Sequence, residues 1–284
     1  MLSEEQFGFN AFWWERLYTD EEISRAVECL AKLGYKGVEW KEVSFNPQKK
    51  LAEEFKRARH ITEKAGLKVS NFVILRDIVN PENKEKGIAD IKNCIEATGE
   101  AGIDKLNMVS SGCPKGISEG EAWTILLSSL EELLKTAEKH KVYLVLEACA
   151  GQIVHDYYST RELFSKIDSP YLCLTMDPSH YFLYRNDIPW AIRQWGDKIK
   201  HVHMKDAVGI PGPFGVDFLF PILGEGGIDW VSFLKALNDI NYKGFLSCEF
   251  EAFLYYERMK MNPCQAAEIS MKSLKGLFNL YLSS

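Results

Sequence analysis

No stretch of the chain stays apolar long enough to cross a bilayer, which excludes a transmembrane helix. The opening residues, MLSEEQFGFNAFWWERLYTDEE, lack a basic segment followed by an uninterrupted apolar run, so no signal peptide is expected. Basic residues are outnumbered: 34 Lys and Arg against 40 Asp and Glu leave a formal charge of −6, which argues against nucleic acid as a partner. Seven cysteines (Cys29, Cys94, Cys113, Cys149, Cys173, Cys248 and Cys264) include no CxxC pair. Odd in number and without pattern, they read as reduced thiols filling small apolar spaces in a cytoplasmic protein. No linker or low-complexity tract divides the chain, and no GxGxxG or P-loop follows an early strand-like run.

What remains is an alternation. Eight short β-type runs recur along the 284 residues: QFGFNAFWW, YKGVEWKEV, KVSNFVIL, DKLNMVSS, VYLVLEAC, YLCLTMD, IKHVHMKD and GFLSCEFE. Stretches with helical apolar spacing, such as DEEISRAVECLAKLG, lie between them. Three connections, LGYKGVEW, AGLKVSNF and AGIDKLNM, place a glycine after a helix and a strand just beyond it. Repeated strand-then-helix units require parallel pairing through crossovers. Eight of them close most naturally into a (β/α)8 TIM barrel, read as a single α/β domain over residues 1–284, with a doubly wound open sheet as the alternative.

A barrel of this kind carries its chemistry at the C-terminal strand ends. Run five ends on Glu147, run six on Asp177 with His180 in MDPSH, run seven carries His201 and His203, and run eight ends on Glu249 with Glu251 beyond. Three acids meeting at one rim repel each other unless a cation lies between them. Glu147, Asp177, His203 and Glu249 therefore form the expected ligand set. His203 is preferred to His201 because it lies nearer the strand end. Oxygen-rich ligation with one imidazole suits Mn²⁺ first, with Mg²⁺ or Co²⁺ as alternatives.

The ordered series LEAC, MDPSH, HVHMKD, GEGGIDW and SCEFE resembles the xylose-isomerase-like TIM-barrel superfamily, over nearly the whole chain. That group includes sugar isomerases, ketose 3-epimerases, inosose dehydratases and endonuclease IV. The resemblance implies the same four metal ligands, Glu147 and Glu249 as the acid/base pair, and His180 as a substrate contact. It implies a divalent-metal-dependent isomerase or epimerase acting on a sugar, keto-sugar or polyol through an enediolate. A lyase of the same fold is the alternative, either an inosose-type dehydratase or an enzyme eliminating a group from a 3-keto-glycoside. Endonuclease IV-like repair fits poorly, since runs three and four supply no histidines.

Further substrate contacts are expected from Glu39, Trp14, Lys205 and His155. Three of them have a plainer alternative: an ion pair for Glu39, a counter-charge for Lys205, a loop role for His155. The insertion 206–227, DAVGIPGPFGVDFLFPILGEGG, is apolar and rich in glycine and proline, and reads as a lid over the barrel mouth. It has almost no cationic residue, which speaks against a bound phosphate. A small carbohydrate is the expected partner, and a homo-oligomer is compatible with the family.

Overall fold

The computed structural model describes all 284 residues. Eight parallel strands close into a barrel: β1 (Phe7–Asn10), β2 (Gly37–Lys41), β3 (Lys68–Val73), β4 (Lys105–Val109), β5 (Tyr143–Glu147), β6 (Leu172–Met176), β7 (Ile199–Met204) and, after a two-stranded hairpin, β10 (Leu246–Cys248). The hairpin is β8 (Val208–Gly209) with β9 (Phe218–Leu219). Each barrel strand lies in one of the eight runs, and the open-sheet alternative is excluded because β1 pairs with both β2 and β10. Between the strands stand α1 (Asp20–Leu33), α2 (Leu51–Lys64), α3 (Lys84–Glu100), α4 (Glu119–His140), α5 (Tyr157–Lys166), α6 (Pro178–Leu183), α7 (Ile188–Trp195) and α8 (Trp230–Asp239). The chain finishes with α9 (Phe253–Arg258) and α10 (Pro263–Leu282).

The helix ends follow from local chemistry. Thr19 caps α1 through the backbone N–H of Glu22, whose own side chain accepts from the Thr19 N–H. Gly34, Gly66 and Gly102 all take positive φ, at 101°, 84° and 69°. These are the three glycines that follow helices in the repeated connections, and the left-handed turn there costs glycine no Cβ clash.

The apolar core lies outside the barrel, between strands and helices. Phe7 packs edge-on against Phe278 of α10, Trp40 donates its Nε1–H to Thr62 of α2, and Phe72 stacks on Phe55 of α2. Alternation then turns the intervening residues inward. Many of those inner positions are polar: Asn10, Glu39, Asn71, Asn107, Thr175, His201, His203 and Ser247 are all buried. A barrel interior is ordinarily filled by branched apolar residues, and a polar interior survives only if its groups satisfy one another.

One expectation is corrected. Cys29 of α1 and Cys264 of α10 are joined in a disulfide, with Cα atoms 6.1 Å apart, so the cysteines are not all reduced. Closing the barrel sets the first and last helices side by side, and two residues 235 apart become neighbours. The other five cysteines are free.

Candidate metal centre at the barrel mouth

Strand ends from half the barrel deliver the central side chains. Glu147 is the last residue of β5, and Asp177 follows β6 as the N-cap of α6. The Asp177 Oδ1 accepts from the Ser179 N–H at 2.8 Å, which leaves Oδ2 toward Lys205 and His203. His203 projects inward from β7, and Glu249 follows β10. Around His203 Nδ1 lie Glu249 Oε2 at 3.2 Å, Glu147 Oε1 at 3.4 Å and Asp177 Oδ2 at 3.9 Å. One donor atom from each of these four residues lies within 4.8 Å of the other three. The four residues that strand-end reasoning selected therefore meet at one point.

Lys205 is the other occupant of this cluster. Its ammonium, almost wholly buried, sits 2.6 Å from Glu249, 2.8 Å from Asp177 and 3.1 Å from Glu251. It also lies 4.7 Å from the centre of the Phe220 ring. Burial opposes charge on Lys205, but Asp177, Glu249 and Glu251 together hold its pKa well above the ordinary lysine value. Burial likewise opposes charge on His203, and Glu249, Glu39 and Glu147 raise it well above the usual imidazole range. The acids remain in surplus. Burial pushes Asp177 and Glu251 up despite the nearby Lys205, whereas Glu147 and Glu249, also desolvated, are held low chiefly by His203.

The residues fit a divalent cation. Four carboxylates, two buried and two half-buried, crowd one lysine and one imidazole, and neither Asp177 Oδ2 nor His180 Nε2, both buried, makes a well-aligned hydrogen bond. A hard cation coordinated by three carboxylates and an imidazole would offset the surplus negative charge and take up Asp177 Oδ2.

The remaining sequence-derived contacts divide. His180 stands at the cavity, its Nδ1 accepting from the Ala150 N–H at 3.2 Å, so that Nε2 carries the proton. That Nε2 lies 3.5 Å from both Glu147 and Asp177. Glu39 does not reach the cavity. It lies deeper, with His201 Nε2 at 2.9 Å and His203 Nε2 at 3.1 Å, because β2 presents Glu39 inward one layer below the rim. Trp14 does not line the cavity either; β1 stops at Asn10, and Trp14 packs edge-on against Phe9. His155 turns its Nδ1 to the carbonyls of Gln152 and Ile153 and packs on Tyr184, as a loop-forming histidine does.

The cavity encloses about 230 Å³ and includes residues that sequence reasoning missed, among them Asn10, Phe12, Lys41, Asn107 and Gln152. Asn10 donates to Glu249 Oε1 at 2.9 Å. Lys41 is half-buried over the Phe12 ring at 4.1 Å. Asn10 and Asn107 did carry a signal, since each is an amide at an inward position of an otherwise apolar run.

The segment 206–227 folds over one side of the site as the β8–β9 hairpin, with Phe220 edge-on to His180. Asp206 ties both ends down. Its carboxylate accepts from the N–H groups of Ala207, Gly224 and Ile228 and from Trp230 Nε1, at 2.9–3.3 Å. Asp206→Ala would leave three buried donors and one part-buried donor unmatched and should cost about 3–5 kcal/mol. Urea unfolding reads the loss, and new protease cleavage within 207–227 locates it; unchanged stability and protection would refute the anchor.

Comparison with known proteins agrees with the fold. Residues 27–277 match the family model described as xylose isomerase-like TIM barrel. An inosose dehydratase of Salmonella agona is 27% identical over 172 residues, 56% of this chain and 56% of that one, so the match spans just over half of the relative. A D-psicose 3-epimerase of Enterocloster bolteae is 30% identical over 119 residues, 41% of this chain and 36% of that one. A crystal structure of IOLI protein with a binding zinc atom superposes with a TM-score of 0.76 at 20% identity, covering 98% of this chain and 100% of that one. With strand order, closure and the family match in agreement, the chain belongs to the xylose isomerase-like TIM barrel family.

Proposed function

We propose that this protein is a divalent-metal-dependent isomerase or epimerase of a keto-sugar or keto-polyol, working by proton transfer through an enediolate. The observation that carries the reading is the pair Glu147 and Glu249. They stand three strands apart in an eight-stranded barrel, yet both face His203 Nδ1 within 3.4 Å. A bound cation would supply the charge that polarises a chelated carbonyl. Zinc in the IOLI structure and the four-residue cluster here support such an ion. Mn²⁺ remains our first choice because oxygen donors dominate.

The side chains account for the rest. One glutamate removes the proton from the carbon beside the carbonyl, and the C–H electron pair enters the carbon–carbon bond of the enediolate. Lys205 Nζ and His180 Nε2 are positioned to donate hydrogen bonds to the developing oxyanion. Return of the proton to the same carbon by the opposite glutamate epimerises it; return to the neighbouring carbon, with the hydroxyl proton passing from one oxygen to the other, isomerises the sugar.

Elimination is the second reading, and two observations favour it. The relative from Salmonella is named an inosose dehydratase. The family resemblance implies an arginine soon after HxH in a ketose 3-epimerase, whereas residues 205–215 here read KDAVGIPGPFG. In that reading the same proton removal is followed by loss of a β-substituent.

The test is incubation of the Mn²⁺-loaded protein in D₂O with simple ketoses, keto-inositols and 3-keto-glycosides, followed by NMR. Solvent deuterium at one carbon without loss of a group is the expected result. A dehydrated or cleaved product moves the assignment to elimination, and absence of exchange with every substrate class rejects proton-transfer chemistry.

A further inference from the structure

Beneath the metal-ligand cluster, one carboxylate gathers donors from four strands. Glu39 is fully buried. Its Oε2 accepts from His201 Nε2 at 2.9 Å and Ser247 Oγ at 3.2 Å, and its Oε1 from Asn71 Nδ2 at 2.8 Å and Asn107 Nδ2 at 3.4 Å. His203 Nε2 lies 3.1–3.2 Å from both oxygens. Among these donors, His203 alone also points its other nitrogen at Glu147, Asp177 and Glu249.

A neutral imidazole carries a single N–H, and a carboxylate can only accept. Where a cation replaces the proton at Nδ1, a ring whose Nε2 is pressed against Glu39 keeps its single proton there and gives the Nδ1 lone pair to the ion. We propose that Glu39 is a positioning residue that locks His203 in the Nε2–H tautomer and aims Nδ1 at the cation. The inference rests on the reading that Glu147, Asp177, His203 and Glu249 hold that cation. Histidines that bind metals commonly depend on such an outer acceptor for ring orientation and basicity. The charge is essential here, because every neighbour of Glu39 is a donor. A glutamine would set its NH₂ either against Asn71 and Asn107 or against His201 and Ser247, and the His203 ring would lose its acceptor on that side.

Glu39→Gln preserves volume, so the change is one of hydrogen bonding. Calorimetric titration with Mn²⁺ should find one ion per wild-type chain and a dissociation constant about ten- to a hundredfold higher in the variant. In Zn²⁺-loaded, ¹⁵N-histidine-labelled protein, long-range ¹H–¹⁵N spectra should show His203 protonated at Nε2, a signature that the variant loses. A lowered melting temperature with unchanged Mn²⁺ affinity and tautomer would reduce Glu39 to a packing role and overturn the proposal. Two ions per wild-type chain, one of them lost in the variant, would overturn it differently, by making Glu39 a ligand alongside His201 and His203. A wild-type chain that takes up no ion rejects the metal centre itself. If the variant does not fold, the wild-type spectrum decides alone: a ring protonated at Nδ1 ends the argument.

Discussion

Glu249→Gln should lower turnover by about two to four orders of magnitude with the fold intact, measured at saturating Mn²⁺. The substitution keeps an oxygen for the Asn10 amide, which donates to Glu249 Oε1 at 2.9 Å. What it removes is the second oxygen, the one facing Lys205 at 2.6 Å and His203 at 3.2 Å. An amide there has no basic lone pair for a carbon acid, and its NH₂ confronts the lysine ammonium, so metal affinity falls as well. Saturating the ion separates the two losses, and deuterium exchange into substrate reads the proton transfer directly. Glu251→Gln is the comparison, because Glu251 meets Lys205 at 3.1 Å but offers no atom to the four-residue cluster. Its effect on turnover should be much smaller. A Glu249→Gln protein that exchanges deuterium within a few-fold of wild type, metal bound, would remove Glu249 from the acid/base pair.

Lys205→Met should destabilise the metal-free protein by about 3–5 kcal/mol, the scale for breaking a buried ion pair from one side. Methionine replaces the alkyl stem beside Phe220, so the loss is electrostatic: Asp177, Glu249 and Glu251 lose a shared cation that each approaches within 3.1 Å. The pH dependence has a definite sign. Asp177 and Glu251 already have folded pKa values raised by burial, with Lys205 the main opposing influence. A raised folded pKa means that the native state holds its proton more tightly than the unfolded chain, so stability falls as pH rises through that range. Without Lys205 both values rise further. The deficit should therefore be largest at neutral and alkaline pH and shrink as pH drops toward the ordinary carboxylate range. Mn²⁺ should restore part of the lost stability by replacing the missing charge. Urea titrations with chelator and with Mn²⁺, at two pH values, check both statements; equal stability of the two proteins in chelator would show that Lys205 does not balance the acids.

Much of this could be read from the chain. The strands follow from apolar runs and the helix boundaries from glycine and capping residues, because backbone conformation answers to neighbours within a few positions. The convergence of Glu147, Asp177, His203 and Glu249 was legible as well, since parallel strands in a barrel bring their C-terminal ends to one rim. Alternation also puts His201, His203 and Lys205 on one inner face.

Cross-barrel partnership needed the tertiary structure. Alternation says that Glu39 points inward but not at what depth, and depth decides whether it meets a substrate or a histidine 162 positions away. The same is true of Asn10 with Glu249, of Lys205 among its acids, and of Cys29 with Cys264 across 235 residues. β1 ends at Asn10, four residues before the run QFGFNAFWW does, and so Phe12 rather than Trp14 lines the cavity. Local patterns carry direction and period, whereas the stagger of strands in a closed barrel, which sets the height of every inward side chain, is a property of the whole ring.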